Sequence, residues 1–360
     1  MPRLPRSLVA KAWRQDPLLP LLLRPCRDLG SARCELRWLK EHAAKVIKTA
    51  SNKTHKSVLH QLCKQRARGK PLQYLIGSEY FGPIEIACRP GVLIPRPETA
   101  ASVTYLIEQF CHKKSADLTE NLKVLDLCSG TGCISLLFAH LFPFDQTKVS
   151  DLQVVGVDIS KTALSLANLN RQKLMDLEPT TTSTSARRAE VEFILGDLRS
   201  DDSSRTGYSD LMEFLRLEGP VWDIIISNPP YISPKAFNTD TTRSVRNFEP
   251  RLALVPQISQ QGLSDEEHGD VFYPQLLEIA EHVSSKILLM EVADMAQAER
   301  IAKVAKSWSK WDGVEIWCDE PAFDGHQKCS EVVEGVQVRG RGDGRSVFCW
   351  RGDAKIWLGK

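Results

Sequence analysis

Val124-Leu125-Asp126-Leu127-Cys128-Ser129-Gly130-Thr131-Gly132-Cys133-Ile134-Ser135 is an apolar run that breaks into a loop of small residues and resumes as an apolar helical pattern. The run reads as a buried strand and the loop as the turn that opens a helix. Glycines at 130 and 132 let the backbone approach a ligand closely, with the first-turn N–H groups directed at it. The loop lacks the third glycine of a G-x-G-x-x-G fingerprint, and no G-K-[ST] follows, so it is not a P-loop. Taken alone, the stretch is also compatible with a plain tight turn between strand and helix.

Its neighbours sharpen the reading. The next strand ends in Val155-Gly156-Val157-Asp158, one strand-helix-strand unit later, and a carboxylate there can accept hydrogen bonds from both hydroxyls of a ribose. A third strand leads to Gly196-Asp197-Leu198, where a polar side chain beside an apolar one can bracket an adenine. Either acid standing alone would read as a helix N-cap. Three successive strand ends with suitable groups instead point to a nucleoside cofactor at the carboxyl edge of a sheet.

A fourth strand, Trp222 to Ser227, runs into Asn228-Pro229-Pro230-Tyr231. Two consecutive prolines make a rigid loop without N–H donors, whose carbonyls are left as acceptors. The Asn228 side-chain oxygen and the Pro229 carbonyl can then accept both N–H bonds of a planar amide or arylamine. The Tyr231 ring can pack on such a flat group and face a passing cation. The plainer alternative is an Asn-Pro turn that merely closes a strand.

Seven apolar runs predict strands: 123–127, 152–157, 191–195, 221–227, 286–292, 314–317 and 346–350. With helical patterns between the early ones, they predict an α/β fold on a mostly parallel sheet covered on both faces. Two stretches, 179–189 and 199–219, read as surface insertions. Residues 1–70 are basic and show helical spacing, and 71–99 carry aromatic, branched, Gly and Pro residues expected to form a hairpin. The expected organisation is therefore a small helical domain at 1–70, a connector at 71–99 and the main domain at 100–360.

The 360 residues carry 47 basic and 45 acidic side chains, so no global basic field favours bulk phosphate binding. Ten scattered cysteines show no metal-ligand spacing and read as free thiols in a reducing compartment, with no metal expected. No run reaches the roughly 20 apolar residues of a membrane span, so a soluble chain is expected. The first 15 residues hold Arg3, Arg6, Lys11 and Arg14 and no acid, as a mitochondrial targeting segment would. They can equally begin the first helix of the mature protein.

Together these motifs resemble the class I S-adenosylmethionine methyltransferases, and the Asn-Pro-Pro-Tyr form is similar to those that methylate planar nitrogen. Pro71-Leu72-Gln73-Tyr74-Leu75-Ile76-Gly77, Tyr80-Phe81-Gly82 and Val92-Leu93-Ile94-Pro95-Arg96-Pro97-Glu98-Thr99 resemble the connector of the HemK/PrmC family, protein-(glutamine-N5) methyltransferases of peptide-chain release factors. Phe248-Glu249-Pro250, Ala253-Leu254, Gly262-Leu263, Met290-Glu291 and Asp343-Gly344-Arg345 follow in that family's order, and the fungal or mitochondrial branch fits best.

The resemblance implies a Rossmann-like fold, S-adenosylmethionine as cofactor, and N5-methylation of the glutamine in a release factor's Gly-Gly-Gln motif. It assigns Asp126, Cys128, Ser129, Gly130, Thr131, Gly132, Asp158, Asp197, Leu198 and Asn228 to the cofactor, and Asn228, Pro229, Pro230 and Tyr231 to catalysis. The helical domain would dock the release factor. A mitochondrial monomer with no membrane partner and no nucleic acid is expected. Two departures stand out: Ala100 replaces the usual acid after Thr99, and Cys128-Ser129 replaces Gly-Thr or Gly-Ser. The alternatives are an adenine-N6 methyltransferase of DNA or RNA, and a non-catalytic cofactor-binding protein.

Overall fold

Along each central strand the side chains alternate between two cores. Val124, Ile224, Ile226, Ile287 and Leu289 enter one, with Leu106, Leu137 and Phe138 from covering helices. Leu125, Leu127, Ile225, Leu288 and Met290 enter the other, with Leu276, Leu277, Ile301 and Ala302. This period of two, apolar on both sides, is what a sheet sandwiched between helices requires. The computed structural model describes residues 3–49, 54–110, 119–177, 188–199, 207–219, 221–258, 262–323, 332–333 and 335–359.

The strands are β1 (Ser78–Phe81), β2 (Ile84–Ala87), β3 (Asn121–Leu127), β4 (Asp151–Asp158), β5 (Arg188–Leu195), β6 (Ile224–Ser227), β7 (Ile287–Glu291), β8 (Gly313–Glu320), β9 (Val332–Val333), β10 (Val336–Arg339) and β11 (Arg341–Trp350). The main sheet runs β5-β4-β3-β6-β7-β11-β8-β10-β9. All pairs from β5 to β7 are parallel, and β11 inserts antiparallel between β7 and β8. The seven expected strands are all present. Two further ones, β9 and β10, extend the edge: β9 has only two residues, and β10 alternates over just four.

The chain winds from β3 outward through β4 and β5, then returns to the other side of β3 as β6. That reversal opens a crevice above the carboxyl ends of β3 and β6, where open α/β sheets bind ligands. The Ser227 hydroxyl donates to the Leu127 carbonyl at 2.8 Å and holds the two strand ends together.

Four helices, Arg6–Gln15, Leu19–Cys26, Leu29–Thr49 and His55–Ala67, pack around Leu22, Leu23, Leu36, Leu39 and Leu59. Their core continues into Leu72 and Leu75, past residue 70. The expected hairpin forms as β1 and β2, joined at Gly82-Pro83, with Phe81, Ile84 and Ile86 buried in the sheet's first core. Asn170, buried on helix Lys161–Leu177, ties it further: Oδ1 accepts from Ala87 N at 2.8 Å, and Nδ2 donates to Thr131 O at 3.0 Å.

Of the two stretches read as surface insertions, 179–187 lies outside the described residues, while Arg188 and Ala189 already belong to β5. The second contains helix Gly207–Leu217, whose Leu211 and Leu215 are buried in the second core. This corrects the surface reading: leucines four apart give the helix an apolar face that docks on the sheet. Among the described residues, no helix is long and apolar enough to cross a membrane.

Candidate active site

The loop after β3 is shaped by left-handed backbone. Cys128, Gly130 and Gly132 have φ of 66°, 55° and 77°. A Cβ on Gly132 would come within 2.5 Å of the Phe193 ring, as would one on Gly156 in β4. The two glycines thus make room for an aromatic plate that presses the loop against the sheet. Gly132 then serves as N-cap of helix Cys133–Leu141.

A cleft of about 1050 Å3, open solvent included, lies above this loop. Cys128, Ser129, Gly130, Thr131, Asp158, Asp197, Leu198, Asn228 and Pro230 line it. Asp158 accepts from Gly130 N and Ser160 N, each at 2.8 Å, one bond per oxygen. An ionised carboxylate has about four acceptor positions, so two remain for hydroxyls of a ligand. Burial raises the Asp158 carboxyl, and the two backbone N–H bonds oppose that shift. The buried Ser129 hydroxyl has no partner among the described residues and stands at the cleft wall.

Four residues expected to touch ligand do not line this cleft; one of them, Tyr231, lines a neighbouring cavity instead. Asp126 falls on the opposite face of β3, because alternation sends it toward helix Cys133–Leu141. There its Oδ2 accepts from Ser135 N at 3.1 Å and Ser135 Oγ at 2.6 Å. Full burial pushes its carboxyl up to about 7. Gly132 shapes the loop from behind, and Pro229 is buried.

A second cavity adjoins the first and is lined by Leu93, Tyr231, Val245, Asp294 and Arg345. Asn228 and Arg96 belong to the walls of both. Among the described residues no donor reaches the Asn228 Oδ1 or the Pro229 carbonyl. The other end of the amide, Asn228 Nδ2, donates to Thr99 Oγ1 at 3.5 Å. Thr99 donates in turn to Glu291 Oε2, and Tyr231 donates to Glu291 Oε1 at 3.1 Å. Burial raises the Glu291 carboxyl; the two hydroxyl bonds and the charges of Arg345 and Arg96 oppose it.

Sequence reasoning gave no role to Thr99, Glu291, Arg96 or Arg199, although the first three lie in the quoted family segments. Arg96 Nη2 donates to both oxygens of Glu249, at 2.9 and 3.0 Å, and Glu249 also accepts from Ile94 N. This buckles the segment after the hairpin against Phe248-Glu249-Pro250. Glu291 ends β7 at the same sheet edge as Asp158 and Asn228, and that position was the available signal. Arg199 is buried and paired with Asp197 at 3.4 Å, and nothing in its sequence context marks it.

Fold and site define a class I S-adenosylmethionine-dependent methyltransferase, and a family model described as a methyltransferase domain matches residues 118–176. The chain is 34% identical over 260 residues to the mitochondrial MRF1 N(5)-glutamine methyltransferase MTQ1 of Saccharomyces cerevisiae, covering 72% of this chain and 69% of that protein. It is 32% identical to the probable MRF1 mitochondrial N(5)-glutamine methyltransferase mtq1 of Schizosaccharomyces pombe, over 70% of this chain and 73% of that one. A release factor glutamine methyltransferase of Thermodesulfovibrio yellowstonii shares 27% identity across 74% of this chain and 78% of that one. The chain belongs to the release factor N5-glutamine methyltransferase family.

Proposed function

We propose that this chain transfers a methyl group from S-adenosylmethionine to N5 of the glutamine in a release factor's Gly-Gly-Gln motif. The substrate factor is the mitochondrial one, and the enzyme works in that compartment. The mitochondrial yeast relatives support the location. The observation that carries the chemistry is that Asn228 stands in the walls of both cavities with its Oδ1 unused among the described residues, next to a Pro229 carbonyl that also receives no donor there.

The cleft over Ser129 to Thr131 suits the cofactor. Gly130 leaves room for close backbone approach, Asp158 keeps acceptor capacity for a ribose, and the Ser129 hydroxyl has no partner among the described residues. Asp158, Asp197 and Leu198 would hold the nucleoside, and Asn228 stands at the reacting end. When bound, S-adenosylmethionine supplies an electrophilic methyl on its sulfonium.

An amide nitrogen is a poor nucleophile, so the protein must align it and stabilise the positive charge that grows on it. Asn228 Oδ1 and Pro229 O accept its two N–H bonds, which aims the lone pair across the wall between the cavities. Both bonds strengthen as charge develops, which is the differential binding that lowers a barrier. Alignment adds a proximity effect worth up to about 7 to 11 kcal/mol in favourable cases. The Tyr231 ring flanks the same position, with its hydroxyl anchored on Glu291. The proton leaves to water after transfer.

Asn228→Ala should lower kcat by about a hundredfold to a thousandfold, the usual effect of removing one preorganised partner of developing charge. Its cofactor affinity, measured by calorimetry, should stay near that of the wild type. Near-normal turnover in that variant would remove the amide clamp from the account.

A further inference from the structure

A carboxamide has an accepting end and a donating end of almost the same shape, and only one orientation of Asn228 serves the clamp. With Oδ1 toward the second cavity, the side chain accepts from the substrate. Rotated by half a turn, it presents N–H to N–H and repels the group it should hold. Something in the protein must select between the two.

We propose that Thr99, backed by Glu291, is the positioning residue that fixes the Asn228 amide with its oxygen toward the substrate. This rests on the reading of Asn228 as one acceptor of the glutamine clamp. The Thr99 hydroxyl has a single proton, and it is committed to Glu291 Oε2. Toward Asn228 the hydroxyl therefore offers only lone pairs, so it can receive Nδ2 but cannot donate to Oδ1.

Glu291 enforces this. In its ionised form, which the Thr99 and Tyr231 hydroxyl bonds and the Arg345 and Arg96 charges favour against burial, it accepts from Thr99 at Oε2 and from Tyr231 at Oε1 and has no proton to give Thr99. Thr99 and Glu291 are both buried, at 5% and 4% exposure, so water does not substitute for either partner. The backbone holds the relay: Thr99 lies in the first turn of helix Pro97–Gln109, and Glu291 closes β7. One buried carboxylate thus orders the amide and the tyrosine on either side of the two prolines.

The test compares Thr99→Val, which keeps the shape and removes the hydroxyl, with Thr99→Ser, which restores it, and Glu291→Gln, which replaces one accepting end by a donor. Thr99→Val and Glu291→Gln should each lower kcat toward a release factor by about tenfold to a hundredfold, the scale of a misaligned reacting group, with cofactor Kd within about twofold. Thr99→Ser should stay within about threefold of the wild type in kcat. In an Asn228→Ala background, Thr99→Val should cost nothing further, because there is no amide left to orient.

Three results would overturn the assignment. They are wild-type kcat in both Thr99→Val and Glu291→Gln, an equal loss in Thr99→Ser and Thr99→Val, or a loss that vanishes at saturating cofactor. If Thr99→Val fails to fold, Thr99→Ser and Glu291→Gln still decide it. A wild-type enzyme that methylates no release-factor glutamine would strike the underlying functional reading itself, an outcome separable from these because it appears before any substitution.

Discussion

Gly132 and Cys128 share the left-handed backbone region yet should answer substitution differently. At Gly132 a methyl group meets the Phe193 ring at 2.5 Å in addition to its φ of 77°. Gly132→Ala should therefore displace the loop and weaken cofactor binding at least about tenfold by calorimetry, since the neighbour is a packed ring rather than a flexible chain end. Cys128 already carries a side chain at φ 66°. Relief of roughly 1 kcal/mol of backbone strain should offset the entropy gained by the unfolded chain, leaving Cys128→Gly within about 1 kcal/mol of the wild type.

Asp126 carries a pH signature. Its folded-state value, about 7, lies above the ordinary 3.8 because burial disfavours the charged form. The folded protein then binds more protons than the unfolded chain between these values, so this group's contribution to stability is full at acid pH and declines as pH rises toward about 7. The melting temperature of the cofactor-free wild type should fall relative to Asp126→Asn between about pH 4 and pH 7 and stay level above that. A constant difference between the two proteins would show that Asp126 does not titrate there. The sequence marked this aspartate as special, but only register on β3 decides that it faces a helix and not the cleft.

At the scale of elements, the strand ends were the most legible part of the molecule. Asp158, Asn228 and the 128–132 loop follow apolar runs directly, and a parallel sheet brings successive carboxyl ends to one edge whatever the intervening lengths. What escaped was held by tertiary contact. Asn170 sits in an ordinary helical pattern, yet it bridges the hairpin and the cofactor loop from a buried position. Asn170→Ala would leave Ala87 N and the carbonyls of Ala87 and Thr131 without this partner. It should lower stability by about 2 kcal/mol or more in denaturant titrations, because stranded buried groups cost about 1 to 3 kcal/mol each. Glu291 escaped in part for a similar reason: its place at a strand end marked the sheet edge, but not the Thr99 and Tyr231 hydroxyls that meet it there.

For the whole molecule, near-neutral net charge conceals a division. Residues 1–70 hold 17 basic and 4 acidic side chains, a net of +13, whereas residues 71–360 hold 30 and 41, a net of −11. We propose that the helical region uses this charge to hold the release factor, since a single glutamine is too small to specify a protein substrate. Arg33 and Arg37 lie exposed one turn apart on helix Leu29–Thr49. Reversing both to Glu should raise KM for the release factor severalfold, more at low ionic strength, without changing cofactor affinity. An unchanged KM would place docking elsewhere.

The central claim is the acceptor, and one measurement addresses it most directly. Purified enzyme is given labelled S-adenosylmethionine with a mitochondrial release factor, with the same factor carrying a substitution at the Gly-Gly-Gln glutamine, and with duplex DNA. The account predicts label on the intact factor and none on the substituted factor or the DNA. Label that survives loss of that glutamine, or that appears on the DNA alone, would contradict it.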